Sequence, residues 1–220
     1  MSSYGSDKSR VRRIPRRGHY DKETIYDILD ETSVCHVAFN YDGYPVIIPT
    51  IYGREGDRLY LHGATTSRLL NSIVSQDQIC ISVTFVDGII LARSLFHSSM
   101  NYRSAVLFGK AHLVADEDKN HALEVISNQI IPGRWNDARL PNPKELKATN
   151  LVVFDIMDAS AKIRTGPPSD DKEDYELDFW AGEIPLKTQF LNTINDPLLK
   201  DGIRVPGYVQ DFIDKKNNKH

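Results

Sequence analysis

The chain has 220 residues, 40% of them hydrophobic, enough to bury one full core, and its net charge of -3 gives no electrostatic case for binding nucleic acid or a membrane surface. No apolar run approaches the ~20 residues that span a bilayer, and the basic, polar start lacks a signal-peptide hydrophobic stretch, so a cytoplasmic protein is expected. Cys35 and Cys80 each lie in an apolar strand-like run, which suits reduced thiols rather than a disulfide framework, and no metal-ligand cluster accompanies them.

In chain order, Arg10, Arg12, Arg13, Arg16 and Arg17 crowd the start without aromatic interleaving, so residues 1–15 read as a flexible basic arm that is solvated or paired within the molecule, with a nucleic-acid role as the minority reading. Asp21 is placed to cap a short helix ending near Glu31, with Ile25, Ile28 and Leu29 on one face. VCHVAF from Val34, PVIIPTIY from Pro45 and RLYLH from Arg58 alternate as strands, separated by Asp42-Gly43 and by Glu55-Gly56-Asp57 turns. A helix opens at Ser67. ICISVTFV, Asp87-Gly88 and IILARSL repeat the hairpin pattern, and Gly109 in the strand YRSAVLFGKAHLV marks a bulge or barrel corner. An amphipathic helix is expected from about Asp116 to Ile131, with Leu123, Ile126 and Ile130 at helical spacing. LVVFDIM from Leu151 and AKIRT from Ala161 supply further strands, and an acidic loop runs through Asp170, Asp171, Glu173 and Asp174. Many short strands joined by Asp-Gly turns indicate a mainly β, α+β domain over residues 16–186 built as an antiparallel barrel, which disfavours a Rossmann site. Residues 187–220 read as a polar, fraying tail ending in Lys215, Lys216, Asn217, Asn218 and Lys219.

Three polar patches interrupt the apolar strands. The first, HGATTSR from His62, runs from a strand end into a helix start. Gly63 lets the backbone approach a ligand, Thr65, Thr66 and Ser67 offer hydroxyls, and Arg68 adds a fork-shaped cation suited to phosphate. The alternative is a capping Ser67 beside a solvated Arg68; the absence of a GK[ST] ending argues against ATP or GTP. The second patch, ARSLFHSSMNYRS, gathers His97, Asn101, Tyr102, Arg103 and Ser104; the third is AKIRTGPP, followed by WAGEIPL around Trp180. Polar groups clustered at strand ends suggest a shared polar ligand.

In this order and spacing, RRGHYD from Arg16, VCHVAF, PVIIPTIY, LYLHGATTSRL, SMNYRSAVLFG, PGRW from Pro132, AKIRTGPP and WAGEIPL resemble the FMN-binding split-barrel proteins. Within that family the chain resembles the branch related to pyridoxamine 5'-phosphate oxidase that includes the nitroimidazole-resistance flavoproteins. The resemblance implies a six-stranded split barrel forming a homodimer, with FMN in two clefts between subunits. It places Ile48, Pro49, Thr50 and Ile51 along the flavin ring, Gly63, Thr66, Ser67 and Arg68 at its phosphate, and Tyr102, Arg103 and Ser104 on a strand completing the site. His62 stands where nitroimidazole-resistance proteins carry a histidine beside the flavin and is the candidate catalytic residue; Trp180 is a further candidate contact. The implied activity is FMN-dependent oxidoreduction of a small molecule, nitroaromatic or quinone-like, with NAD(P)H as a diffusible donor because no dinucleotide fingerprint is present. The divergent tail after WAGEIPL departs from true pyridoxamine phosphate oxidases, which carry additional arginines and a characteristic C-terminal segment that bind the substrate phosphate. Alternatives are a haem-binding or haem-degrading split barrel using His62, His97 or His112, and a flavin-binding protein without turnover. Arg103 has a second reading as partner of an acidic side chain, and Lys162 and Arg164 as anchors of the acidic loop.

Overall fold

A computed structural model describes residues 3–218. After the two-residue strand β1 (Gly18–His19), helix α1 (Lys22–Asp30) starts where the Asp21 carboxylate accepts the Thr24 N–H at 2.8 Å. Ile25, Ile28 and Leu29 fall on its buried face. Strands β2 (Val34–Tyr41) and β3 (Tyr44–Glu55) meet in a two-residue turn in which Asp42 and Gly43 both have positive φ, 50° and 78°, the geometry that matches strand twist. Gly56 opens the next turn into β4 (Arg58–Ala64). Then come α2 (Arg68–Ile73), β5 (Ile79–Leu91), β6 (Ser99–Leu113), α3 (Lys119–Ile130), α4 (Pro143–Ala148), β7 (Thr149–Arg164), β8 (Gly182–Pro185) and α5 (Gly207–Asn217).

Six strands close a ring in the order β2-β3-β4-β7-β6-β5, every pairing antiparallel, with β5 returning to β2. Closure removes the exposed edges that an open sheet would present. Where long strands turn corners and lose a ring neighbour, β1 pairs with β7 and β8 with β5. One face of each strand points inward. Val37, Ile81, Leu107 and Ala159 lie at one level by register, and all are fully buried. The second face is covered in one place by α3, which packs Ala122 and Ile126 on Tyr60, Leu151 and Val153. Among the described residues no helix is long and apolar enough to cross a membrane.

Gly109 does mark a bulge. The register slips between Phe108 and Gly109, where a Cβ would lie 1.9 Å from the Asp155 carbonyl oxygen. Asp87-Gly88 is not a hairpin turn. β5 runs through it, with Asp87 as the extra residue of a bulge opposite Tyr102 and Asn101, and the chain reverses only around Leu95–His97. The bulge frees Asp87 to point at Arg103, a use the turn-like dipeptide does not advertise. LVVFDIM and AKIRT are likewise one sixteen-residue strand, β7, bent at its middle by the same slip.

The first and the last of the described residues are tied down. Tyr4 donates to Asp57 at 3.0 Å, and Asp158 accepts the N–H groups of Gly5 and Ser6 and the hydroxyls of Ser6 and Ser9. Residues 3–9 are thus fastened to the barrel rather than free. At the other end the expected fraying tail contains α5, whose Lys216 donates to the Glu31 carbonyl at 2.7 Å, while Asn217 exchanges hydrogen bonds with the Phe190 backbone. Lys219, assigned to that tail, lies outside the described residues. Neither cysteine forms a disulfide; Cys35 points into the core, where burial pushes its thiol up to about 12, and Cys80 is half-buried.

Candidate functional site

β3 pairs with β4 only from Tyr52↔Leu61 to Glu55↔Arg58, so the preceding stretch of β3 and the last residues of β4 diverge. That divergence is the split in the barrel. Ile48, Pro49, Thr50 and Ile51 form one margin, still bonded to β2; His62 and Gly63, bonded to β7, form the other and lead into Thr66, Ser67 and Arg68. Alternation divides the first run, leaving Ile48 and Thr50 half-buried against the core while Pro49 and Ile51 are exposed on the outer face.

At the second margin the chain turns sharply from strand to helix. Ser67 N–H donates to the Ala64 carbonyl at 2.8 Å, and the Ser67 hydroxyl caps α2 by accepting from Leu70 N–H at 3.4 Å. A Cβ on Gly63 would approach Leu70 to 3.2 Å, so this glycine keeps the corner tight. Thr66 and Arg68 are exposed, and the Arg68 guanidinium lies 5.0 Å from the centre of the Tyr41 ring. The structure therefore realises the capping role of Ser67 and leaves hydroxyl and guanidinium donors at the rim of the split.

His62 points away from the core. It joins Leu123, Ile126 and Ile130 of α3 and Trp135, Leu140 and Pro141 of the following loop around a groove of about 300 Å³. Arg134 and Arg139 stand at its margin, held by Asp137 and Tyr208 and by a two-pronged pair to Glu145, respectively. Removal of water by these neighbours lowers the His62 pKa, which keeps the imidazole neutral at pH 7. The groove was not assigned from sequence, although PGRW contained its signal: Gly133 adopts φ 94° and aims the Arg134–Asp137 turn back across α3.

Tyr102, Arg103 and Ser104 do not reach the split within one chain. β6 lies three strands from β3 either way round the ring, and successive residues on it face opposite sides. Arg103 turns to the inner side, where its guanidinium bridges Asp87 and Glu31 at 2.5–3.0 Å and lies over Phe85. Hydrogen bonds to Asp87 and Glu31 raise its pKa, so the acidic-partner reading is the one the structure realises. This network floors a cavity of about 910 Å³, roofed by Phe190, Phe212 and Lys216 of the C-terminal segment. Trp180 is 67% exposed, beside β8. Arg164 is buried and holds Asn101 and the carbonyls of Gly166 and Pro167; the acidic loop is anchored by Arg93 instead.

Residues 21–163 match the sequence profile of the family described as pyridoxamine 5'-phosphate oxidase. The chain belongs to that family. The split-barrel ring is the family's fold, and likeness to solved structures extends it beyond the matched segment. The flavocytochrome Anf3 from Azotobacter vinelandii is 38% identical, the alignment covering 94% of this chain and 96% of that one with a TM-score of 0.89. The FAD- and haem-binding protein from Mycobacterium smegmatis is 36% identical over 90% of this chain and 97% of that one, with a TM-score of 0.86. A putative 5-nitroimidazole antibiotic resistance protein from Bacteroides thetaiotaomicron, 23% identical over 65% of this chain and 84% of that one, shares the fold at a TM-score of 0.55. No curated protein matches the chain.

Proposed function

We propose that this member of the pyridoxamine 5'-phosphate oxidase family is a dimeric cytoplasmic redox protein that binds both a flavin and a haem. The observation that carries the reading is the near-complete overlap with two relatives named for those cofactors, at 38% and 36% identity, together with a neutral histidine in an apolar groove. A flavin and a haem, when bound, supply the one- and two-electron chemistry that side chains lack.

The residues present fit both groups. A neutral imidazole is the form of histidine that ligates iron, and Leu123, Ile126, Trp135 and Leu140 give His62 the apolar walls that a porphyrin face requires. Arg134 and Arg139, at the groove's margin, would supply cations for the carboxylate substituents of a bound haem. For a flavin, Ser67 and Arg68 would hold the phosphate side, with Thr66 and Gly63 beside them, and Ile48 to Ile51 would form the wall along the ring. The name of the Mycobacterium smegmatis relative favours FAD over FMN. Dimerisation is supported by apolar side chains left wet on the outer face of β2 and β3: Val34 is 45% exposed, Ile47 66% and Ile51 39%. A partner covering that face could bring its Tyr102, Ser104 and Trp180 to the split. In this reading NAD(P)H is a diffusible donor and the acceptor is a small molecule, nitroaromatic or quinone-like.

A second reading keeps FMN alone, with a neutral His62 orienting the substrate beside the ring; the strand-margin position of His62 favours it. Titration of the purified protein with FAD, FMN and haemin separates the two. A saturable Soret band that vanishes in His62→Ala, alongside flavin bound per chain, supports the two-cofactor protein. Flavin binding with no haemin site would leave the FMN oxidoreductase, and binding of neither would overturn both.

A further inference from the structure

Two loops distant in sequence bring three potential ligands together. We propose that His97, Asp171 and Asp174 form a site for one divalent transition-metal ion of the Zn²⁺ class. Their nearest ligand atoms all lie within 4.8 Å of one another. His97 Nε2 and Asp171 Oδ2 are 3.2 Å apart, close to the ~3.3 Å separating two ligands of a tetrahedral Zn²⁺ with ~2.0–2.1 Å bonds. One imidazole and two carboxylates suit a borderline cation better than Ca²⁺ or Mg²⁺, which favour all-oxygen shells.

The scaffold is built before any ion arrives. The Asp170 side chain, fully buried, accepts the N–H groups of Arg93 and Ser94 at 3.1 and 3.0 Å and pairs with the Arg93 guanidinium at 3.3 Å. That clamp fixes the Lys172–Glu176 turn against the Leu95–His97 turn. Asp171 stands at the N-cap of its turn, where an aspartate ordinarily accepts a backbone N–H, yet it makes no capping bond and faces His97 instead. Among the described residues no hydrogen bond or ion pair reaches the half-buried Asp174 carboxylate. From Asp170 to Asp178 six acidic residues share the segment with a single basic one, Lys172, so a dication would relieve mutual repulsion. Bound there, it would cross-link the turn that presents Leu95 and Phe96, 93% and 87% exposed, to the segment leading to Trp180.

The competing account is a plain His97–Asp171 ion pair. Calorimetric titration of the chelator-stripped full-length protein with ZnCl₂ decides between them. The expected result is one Zn²⁺ per chain, with affinity reduced on the order of tenfold or more in each of His97→Ala, Asp171→Asn and Asp174→Asn. The double variant His112→Ala/His121→Ala removes two other histidine–carboxylate pairs, with Asp155 and Glu55, and should retain the site. Thermal unfolding in chelator guards against misfolding: the site variants should melt with the unsubstituted protein there, and lose only its Zn²⁺-induced rise. Absence of stoichiometric binding, or binding that survives all three substitutions, would overturn the proposal.

Discussion

Arg103 shows how a single side chain can be assigned to the wrong task by a motif. Flanked by Tyr102 and Ser104 it looks like part of one binding edge, but strand alternation sends it inward to two carboxylates. Arg103→Ala would leave Glu31 and Asp87 without the guanidinium between them, and a loss of about 2–3 kcal/mol in urea unfolding is expected. At Arg68, where local geometry and resemblance coincide, replacement by Ala should weaken flavin binding by roughly 1.5–3 kcal/mol in a fluorescence titration. Unaltered affinity would move the phosphate elsewhere. His62 carries a pH signature. Its folded pKa lies below the ordinary ~6.5, so the unfolded chain takes up the proton first and stability falls as pH drops from about 6.5 towards the folded value. Unfolding free energies measured from pH 7 to pH 5 should therefore decline more steeply for the unsubstituted protein than for His62→Gln.

Elements were legible where short-range chemistry dictates them. Asp21, Ser67 and the Asp42-Gly43 pair announce their caps and turn in the sequence and perform those roles. The same logic would have found α4, since Asn142-Pro143-Lys144-Glu145 is a capping box with proline in the first turn. Asp87-Gly88 misleads because a bulge and a turn favour the same residues, and only the pairing partner across the sheet distinguishes them. Gly53 illustrates a constraint set wholly by packing. A Cβ there would sit 2.6 Å from the Ile126 backbone, so Gly53→Ala must push α3 off the sheet. A cost of about 1–3 kcal/mol in chemical unfolding is expected, with weakened haemin binding because α3 walls the His62 groove.

For the molecule as a whole, periodicity and turns pointed to an antiparallel barrel, but neither can say which strands close it or which apolar face meets a partner. Val34, Ile47 and Ile51 alternate like any core strand, and only the finished ring reveals that they face out. If a second copy covers them, Ile47→Asp should shift sedimentation from dimer to monomer at micromolar concentration and release flavin; a monomeric parent protein would refute that arrangement.

The ring also imposes an order on synthesis. β4 waits for β7, Leu59 pairing with Phe154, and the brace of Gly5, Ser6 and Ser9 waits for Asp158. Until Arg164 has left the ribosome, β4 and β6 both present bare edges to the cell, and no shorter nascent chain holds a finished barrel. A stalled or truncated product is thus a candidate for chaperone capture rather than a smaller working protein.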